Sequence, residues 1–373
     1  MYLLIIIVLI LFSFFKPKSN TVAILLFLIM WVLMGFNTEN ADFSNYLNGY
    51  DEIYLLGPLF ESGLKDPGYK LIILAFKYLG FDFYQFKIII SFICLFLLYK
   101  TIRKFSIYPA LVTTCYFLFL FALDVTQFRN FISIIIVIFA LRFIIEDEIK
   151  GTIIFIILVL FASSVHSSSI FYLLIILKRF KIGLKLMLIL VLIVSILKVN
   201  LFNNFAILIE RDDINEIYKE GVSNLAFISI ILVHLINVYY ISLYKSFPIE
   251  NEFINNDNSI KKISSTGIEN SSKMQSIIKF TNSNLVPFIS ILVLLLIPLY
   301  SDNLIYARLL RNILIFNIIF ISNHSYNNPF KSMFINNFIL ILYASFFFVL
   351  FCIPKNGIEK IIYPIFLNNS ILN

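Results

Sequence analysis

The stretch QFRNFISIIIVIFALRFII, residues 127–145, sets a cation-bearing polar segment directly ahead of an apolar run. The polar part is Gln127-Phe128-Arg129-Asn130, and the apolar run is 131–145. A helix that crosses the hydrocarbon core needs about 20 predominantly apolar residues, so such a run is close to a span. A cation at the start of a helix opposes the macrodipole and costs about 0.3–1 kcal/mol. A snorkelling anchor would be cheaper at a helix C-terminus. Arg129 therefore reads as a functional cation, whose guanidinium fork suits a phosphate.

The same alternation runs through the chain. Apolar runs fall at about 2–15, 21–36, 84–99, 107–122, 131–145, 151–165, 167–178, 184–201, 224–244, 283–300, 312–322 and 333–353. The 373 residues are 60% hydrophobic and 14% charged, against roughly 25% charged in soluble domains. The expectation is one all-α polytopic integral membrane domain, 1–373, of about twelve transmembrane helices. Residues 2–15 carry no basic stretch ahead of them and read as a first span, not a cleaved signal peptide. The run 151–178 is read as two spans meeting at the polar break Ser163-Ser164-Val165-His166-Ser167-Ser168-Ser169.

Lys and Arg cluster in short connections, as positive-inside sorting requires. The net charge of +7 therefore argues for membrane orientation and not for nucleic acid. Lys16, Lys18, Lys100, Arg103, Lys104, Lys150, Lys178, Arg179, Lys181, Lys185 and Lys331 are assigned to the cytoplasm. So is the polar stretch 245–282, whose 250–275 part reads as a flexible linker. Segments 37–83, 123–130, 163–169, 202–223 and 301–311 are then outside, with 67–80 lying on or dipping into the outer face. Cys94, Cys115 and Cys352 lie in apolar runs, with no metal-like spacing and no expected disulfide. No P-loop, dinucleotide motif or metal cluster is present in the sequence, and neither cofactor nor metal is expected.

Against an acidic outer face the outer cations stand out. Arg129, His166, Arg308 and Arg311 all fall there, and charged groups at the edge of a bilayer core are functional suspects. His166, among serines, reads as a general base for a sugar hydroxyl or a donor to a phosphate. Arg308 and Arg311 share a helical face, with Asp302 able to pair with one. Such a like-charged pair favours an anion. Asp42, Tyr46 and Tyr50 would share one face if helical, a carboxylate with two rings able to stack on sugars. Asp66-Pro67-Gly68-Tyr69 reads as a turn that opens the next element. His234 and His324 read as structural.

The order of these pieces resembles the EpsG-like group of Wzy-type polysaccharide polymerases. The pieces are Asp42 to Tyr46, Asp66 to Tyr69, Gln127 to Arg129, Ala162 to Ser168 and Arg308 to Arg311. Asn130 stands where the family often has Gln. The resemblance implies a multi-pass protein of the bacterial cytoplasmic membrane. It implies transfer of a growing glycan from polyprenyl diphosphate to a sugar hydroxyl of an incoming lipid-linked repeat unit, at the outer face. Arg129, His166 and Asp42 are then the expected catalytic residues. Arg308, Arg311, Gln127, Tyr46, Tyr50 and Tyr69 are the expected substrate contacts. A chain-length regulator and a flippase are the implied protein partners, beside membrane lipid.

Three other functions stay open at the level of sequence. A lipid-linked oligosaccharide flippase would carry cations deep in a central cavity and show two related halves. A membrane O-acyltransferase would need a buried His with an acidic partner, which His234 lacks in sequence. An O-antigen-type ligase shares the outer arginine and histidine logic and differs in its acceptor.

Overall fold

The computed structural model describes residues 2–53, 66–145, 149–180, 267–293, 307–324 and 357–372, with isolated positions at 186, 189, 193, 228, 231, 235 and 345. Among the described residues the elements are helical, and the extended pairing is an isolated bridge between Asn37 and Asn369. Helix α1 is Tyr2–Phe15, α2 Asn20–Gly35, α3 Phe43–Asp51, α4 Pro67–Tyr78 and α5 Phe83–Phe105. Then come α6 Pro109–Phe119, α7 Phe121–Thr126, α8 Phe128–Ile145 and α9 Ile149–Val165. A 3-10 helix covers Ser167–Phe180. Helix α10 is Gly267–Asn282, α11 Leu285–Leu292, α12 Ala307–His324 and α13 Tyr363–Leu367.

Two of these, α5 and α8, are long and apolar enough to cross a membrane, and α1, α2, α6, α9 and residues 311–323 of α12 are shorter apolar helices. These lengths and compositions suit a helical membrane protein. Helix α8 is the inner one, packed against α5, α7, α9, α12 and the 3-10 helix. Phe131, Val137, Ala140 and Leu141 on it are wholly buried. Helix α1 keeps Leu4, Ile7, Leu11 and Phe15 exposed along its length, a face suited to hydrocarbon, where close packing and not water exclusion joins helices.

Chemistry fixes the helix ends. Asp82 and Gln85 form a reciprocal capping box that starts α5. Arg103 and Lys104 end it, where a cation suits the macrodipole. Pro67 and Pro109 open α4 and α6 at positions that need no donor. The polar break at 163–169 does separate two elements: α9 stops at Val165 and lies beside the 3-10 helix that follows. The tighter winding rises about 2.0 Å per residue. Its 14 residues therefore extend about 28 Å.

The bundle has two chemically different ends. At one, Asn323 of α12 accepts from Ile107 N–H and donates to the Phe105 carbonyl, at 2.9 and 2.7 Å. Ala110 N–H donates to the Pro17 carbonyl at 3.0 Å. Lys16, Lys18, Arg103 and Lys104 sit on these connections. At the other end lie the starts of α5, α8 and α12, the close of α9, and α3 and α4. One expectation needs correcting here. From Gly267 onward the anticipated flexible linker is helix α10, docked on α5. Ile277 and Phe280 are buried, and Phe280 meets Phe105 at 5.1 Å and Phe316 at 6.0 Å. An apolar pair at helical spacing inside a polar stretch supplied the docking face.

The C-terminal segment ties down the start of the segment that follows α2. Asn37 Nδ2 donates to the carbonyls of Pro364 and Asn368 at 2.9 and 3.1 Å, and Ser370 N–H donates to the Phe36 carbonyl at 3.0 Å. Lys87, buried in α5, donates to the Asn37 carbonyl beneath the Phe43 ring.

Candidate functional site

Arg129 is the second residue of α8. Its Nη1 meets Asp66 Oδ2 at 2.8 Å, which answers the macrodipole cost of a cation at a helix start. The Asp66 side chain is 5% exposed and that of Arg129 is 29% exposed, so the carboxylate is sealed while the guanidinium reaches the open surface at this end. Arg129 Nε is buried without a hydrogen-bond partner. Its backbone N–H donates to the Tyr46 hydroxyl at 3.4 Å. The guanidinium stands 5.9 Å from the centre of the Tyr69 ring.

Asp66 joins Arg129 to the polar break. Its other oxygen, Oδ1, accepts from Ser167 N–H at 3.1 Å, next to His166. Asp66 has a left-handed backbone, φ 55°, a costly conformation for a residue other than glycine. Gly68 explains how α4 comes so near. A Cβ there would lie 2.9 Å from the Ser164 carbonyl carbon and collide with Ser164 Oγ. Ser133 of α8 reaches both the Ala162 carbonyl and Ser169 Oγ, which fixes the same break from beneath.

Asp42 caps α3 without a side-chain bond to it. Burial pushes that carboxyl up from its ordinary value, with the charges of Arg308 and Arg129 opposing the rise. Burial, reinforced by Asp42, pushes the Tyr46 hydroxyl up to about 12. Tyr46 is therefore neutral at physiological pH. Arg308, second in α12 and half-buried, completes the group.

Below this opening lies a sealed layer. Arg311 is 1% exposed. Its Nη2 reaches Gln127 Oε1 and Asn312 Oδ1, each at 3.1 Å, and Asp124 Oδ1 at 3.5 Å. Tyr116 donates to Asp124 Oδ2 at 2.7 Å. Asn130 and Asn312 exchange amide contacts at 3.1 and 3.3 Å. These bonds pin the start of α8 to α12.

The expected site residues thus separate. Arg129, Asp42, Tyr46, Tyr69, Arg308 and the His166 segment gather at one end. Arg311 and Gln127 bind each other under them. Arg311 lies about one turn further along α12 than Arg308 and meets a protein carboxylate there. Tyr50 points elsewhere: 2% exposed, it donates to the Phe81 carbonyl at 2.7 Å and packs on Phe83 and Phe86. Its ring is unavailable to a sugar. Asp302 and His234 lie outside the described residues, as does the His324 side chain. The sequence reading missed Asp66 as a site carboxylate and Asp124 altogether. The available signal for Asp124 was an acidic residue just beyond an apolar run and three residues before Gln127.

A model of the EpsG family matches residues 20–364. The chain belongs to the EpsG family. The matched span of this EpsG-family protein takes in every residue of the opening and of the layer below it. No curated protein and no solved structure matches the chain. Among the described residues, no group of three or more His, Cys, Asp or Glu is placed to hold a metal ion.

Proposed function

We propose that this EpsG-family protein polymerises repeat units of a surface polysaccharide. The grouping of Arg129 and Arg308 around Asp42 and Tyr46, at the end opposite the lysine-rich connections, carries this reading. Positive-inside sorting turns the lysine-rich end to the cytoplasm and the site outward. The chain crosses the bacterial cytoplasmic membrane about twelve times in this reading, as a single domain. Its substrates are polyprenyl-diphosphate-linked oligosaccharides, handed over by a flippase, with a chain-length regulator as a further partner.

In the reaction the acceptor hydroxyl oxygen attacks the anomeric carbon of the growing chain. The bond from that carbon to the diphosphate oxygen breaks, and the electron pair leaves with the lipid diphosphate. Arg129 and Arg308 stabilise the developing charge in a setting where water competes poorly. His166 or Asp42 takes the hydroxyl proton. Tyr46 presents its ring to the glycan, while Tyr69, expected to do the same, is 6% exposed and packs beneath Tyr46 and against Phe86. No nucleotide sugar and no cofactor enters this scheme.

The second reading is a lipid-linked oligosaccharide flippase, favoured by the depth of Arg311. Its charge is already matched by Asp124, which weakens it as a transport site. A gel profile of lipid-linked and surface glycan separates the two. Cells lacking the protein should hold single repeat units on the outer face and no ladder, and Arg129→Ala should fail to restore it. Units trapped inside would mean a flippase. A full ladder without the protein would sink polymerisation.

A further inference from the structure

Asp66 is the residue that the opening depends on without facing it. Three observations bear on it. Its two oxygens are divided between Arg129 Nη1, at 2.8 Å, and Ser167 N–H, at 3.1 Å. It holds a left-handed backbone, φ 55°, which Asp adopts more readily than most residues other than glycine. The glycine two residues on lets α4 approach the end of α9 closely enough for this divided contact.

The geometry at Arg129 gives this a consequence. A guanidinium has five N–H donors in a planar fork. Asp66 occupies Nη1, while Nε stays buried with no acceptor. Buried donors normally have partners. An arginine clamped at one nitrogen, with its side chain still 29% exposed, keeps N–H donors for an anion. A phosphate oxygen suits those donors.

We infer that Asp66 is a positioning residue, which holds Arg129 by one nitrogen so that its remaining edge receives a diphosphate in register with the His166 segment. This rests on the polymerase reading. Two effects of Asp66 then have opposite signs. Its negative charge opposes anion binding. Its hold on Arg129 and Ser167 orients the groups that act on the bound anion, and misplacement by about 1 Å can cost a hundredfold in rate. Removing the charge while keeping the shape should separate them.

The test uses the full chain in nanodiscs with undecaprenyl diphosphate as the binding probe, beside the cellular glycan ladder. Asp66→Asn should bind the probe as tightly as wild type or more tightly, melt near the wild-type temperature, and lose most of the ladder. A merely structural role would lower melting temperature and binding together, and that result overturns the inference. A wild-type ladder in Asp66→Asn overturns it too, as does failure of the wild type to bind the probe. Should Asp66→Asn not fold, Asp66→Glu asks the same question with the charge kept and displaced by one methylene. A partial ladder with wild-type binding supports the inference, and a full ladder overturns it. The knockout profile judges the polymerase reading separately, because it involves no change at Asp66.

Discussion

Arg311 and Asp124 form an ion pair at 3.5 Å, with their side chains 1% and 8% exposed. Removing one partner of a buried pair strands a charge, at about 3–5 kcal/mol, whereas replacing both by apolar groups is often neutral or better. Arg311→Ala and Asp124→Ala should each sharply reduce folded protein in fluorescence-detected size exclusion. The double variant Asp124→Leu, Arg311→Met should be more stable than either single change. Additive losses would mean that the pair contributes no coupling.

Gly68 sits where added bulk is most costly. Its Cβ would meet backbone as well as the Ser164 side chain, so rotamer change alone cannot relieve it. Overpacking of this kind costs about 1–3 kcal/mol. Gly68→Ala should separate α4 from α9, lose the glycan ladder, and stay lost when combined with Ser164→Ala. Ser164→Ala alone should keep the ladder.

Tyr46 and Tyr50 look equivalent in sequence and should behave differently. The Tyr50 hydroxyl donates to the Phe81 carbonyl, a bond worth about 0.5–1.5 kcal/mol net. Tyr50→Phe should lower the melting temperature and leave polymer length unchanged. Tyr46 lines the opening and accepts from Arg129 N–H. Tyr46→Ala should shorten or abolish the ladder, read on the same gel.

Asp42 predicts a pH dependence. Its folded value is raised above the ordinary 3.8, first by burial. A raised carboxyl favours the protonated form in the fold. The stability it adds is full below the unfolded value and is lost as pH rises through the folded one. Asp42→Asn should therefore leave stability at neutral pH unchanged or slightly higher. If Asp42 is the base, polymerisation in membrane vesicles should fall as pH drops through its raised value. Asp42→Asn should abolish activity at every pH, not merely its acid limb. A variant that retains wild-type activity would assign the proton to His166.

Much of this molecule was legible in the chain. Long apolar runs separated by lysine-bearing connections announce membrane helices, because hydrocarbon leaves a spanning backbone few other ways to satisfy its hydrogen bonds. The break at 163–169 was visible as a serine cluster, and Arg129 and Arg308 as cations beside apolar runs. The α10 helix was obscured by polar composition, since two buried residues carry its docking. The 3-10 winding after His166 was not legible either, because periodicity in a nearly uniform apolar run does not distinguish 3.0 from 3.6 residues per turn.

By itself the sequence determined the solvent, the helical class and the family. Those follow from composition and order along the chain, which survive any packing. Only the tertiary structure decided which cation meets which carboxylate. Asp66 with Arg129 and Asp124 with Arg311 are contacts between distant segments. Nothing local distinguishes a sealed arginine from one that borders an opening. That difference arises from depth along α12, where Arg311 lies about one turn beyond Arg308, and from how closely Gly68 lets α4 bring Asp66 to Arg129.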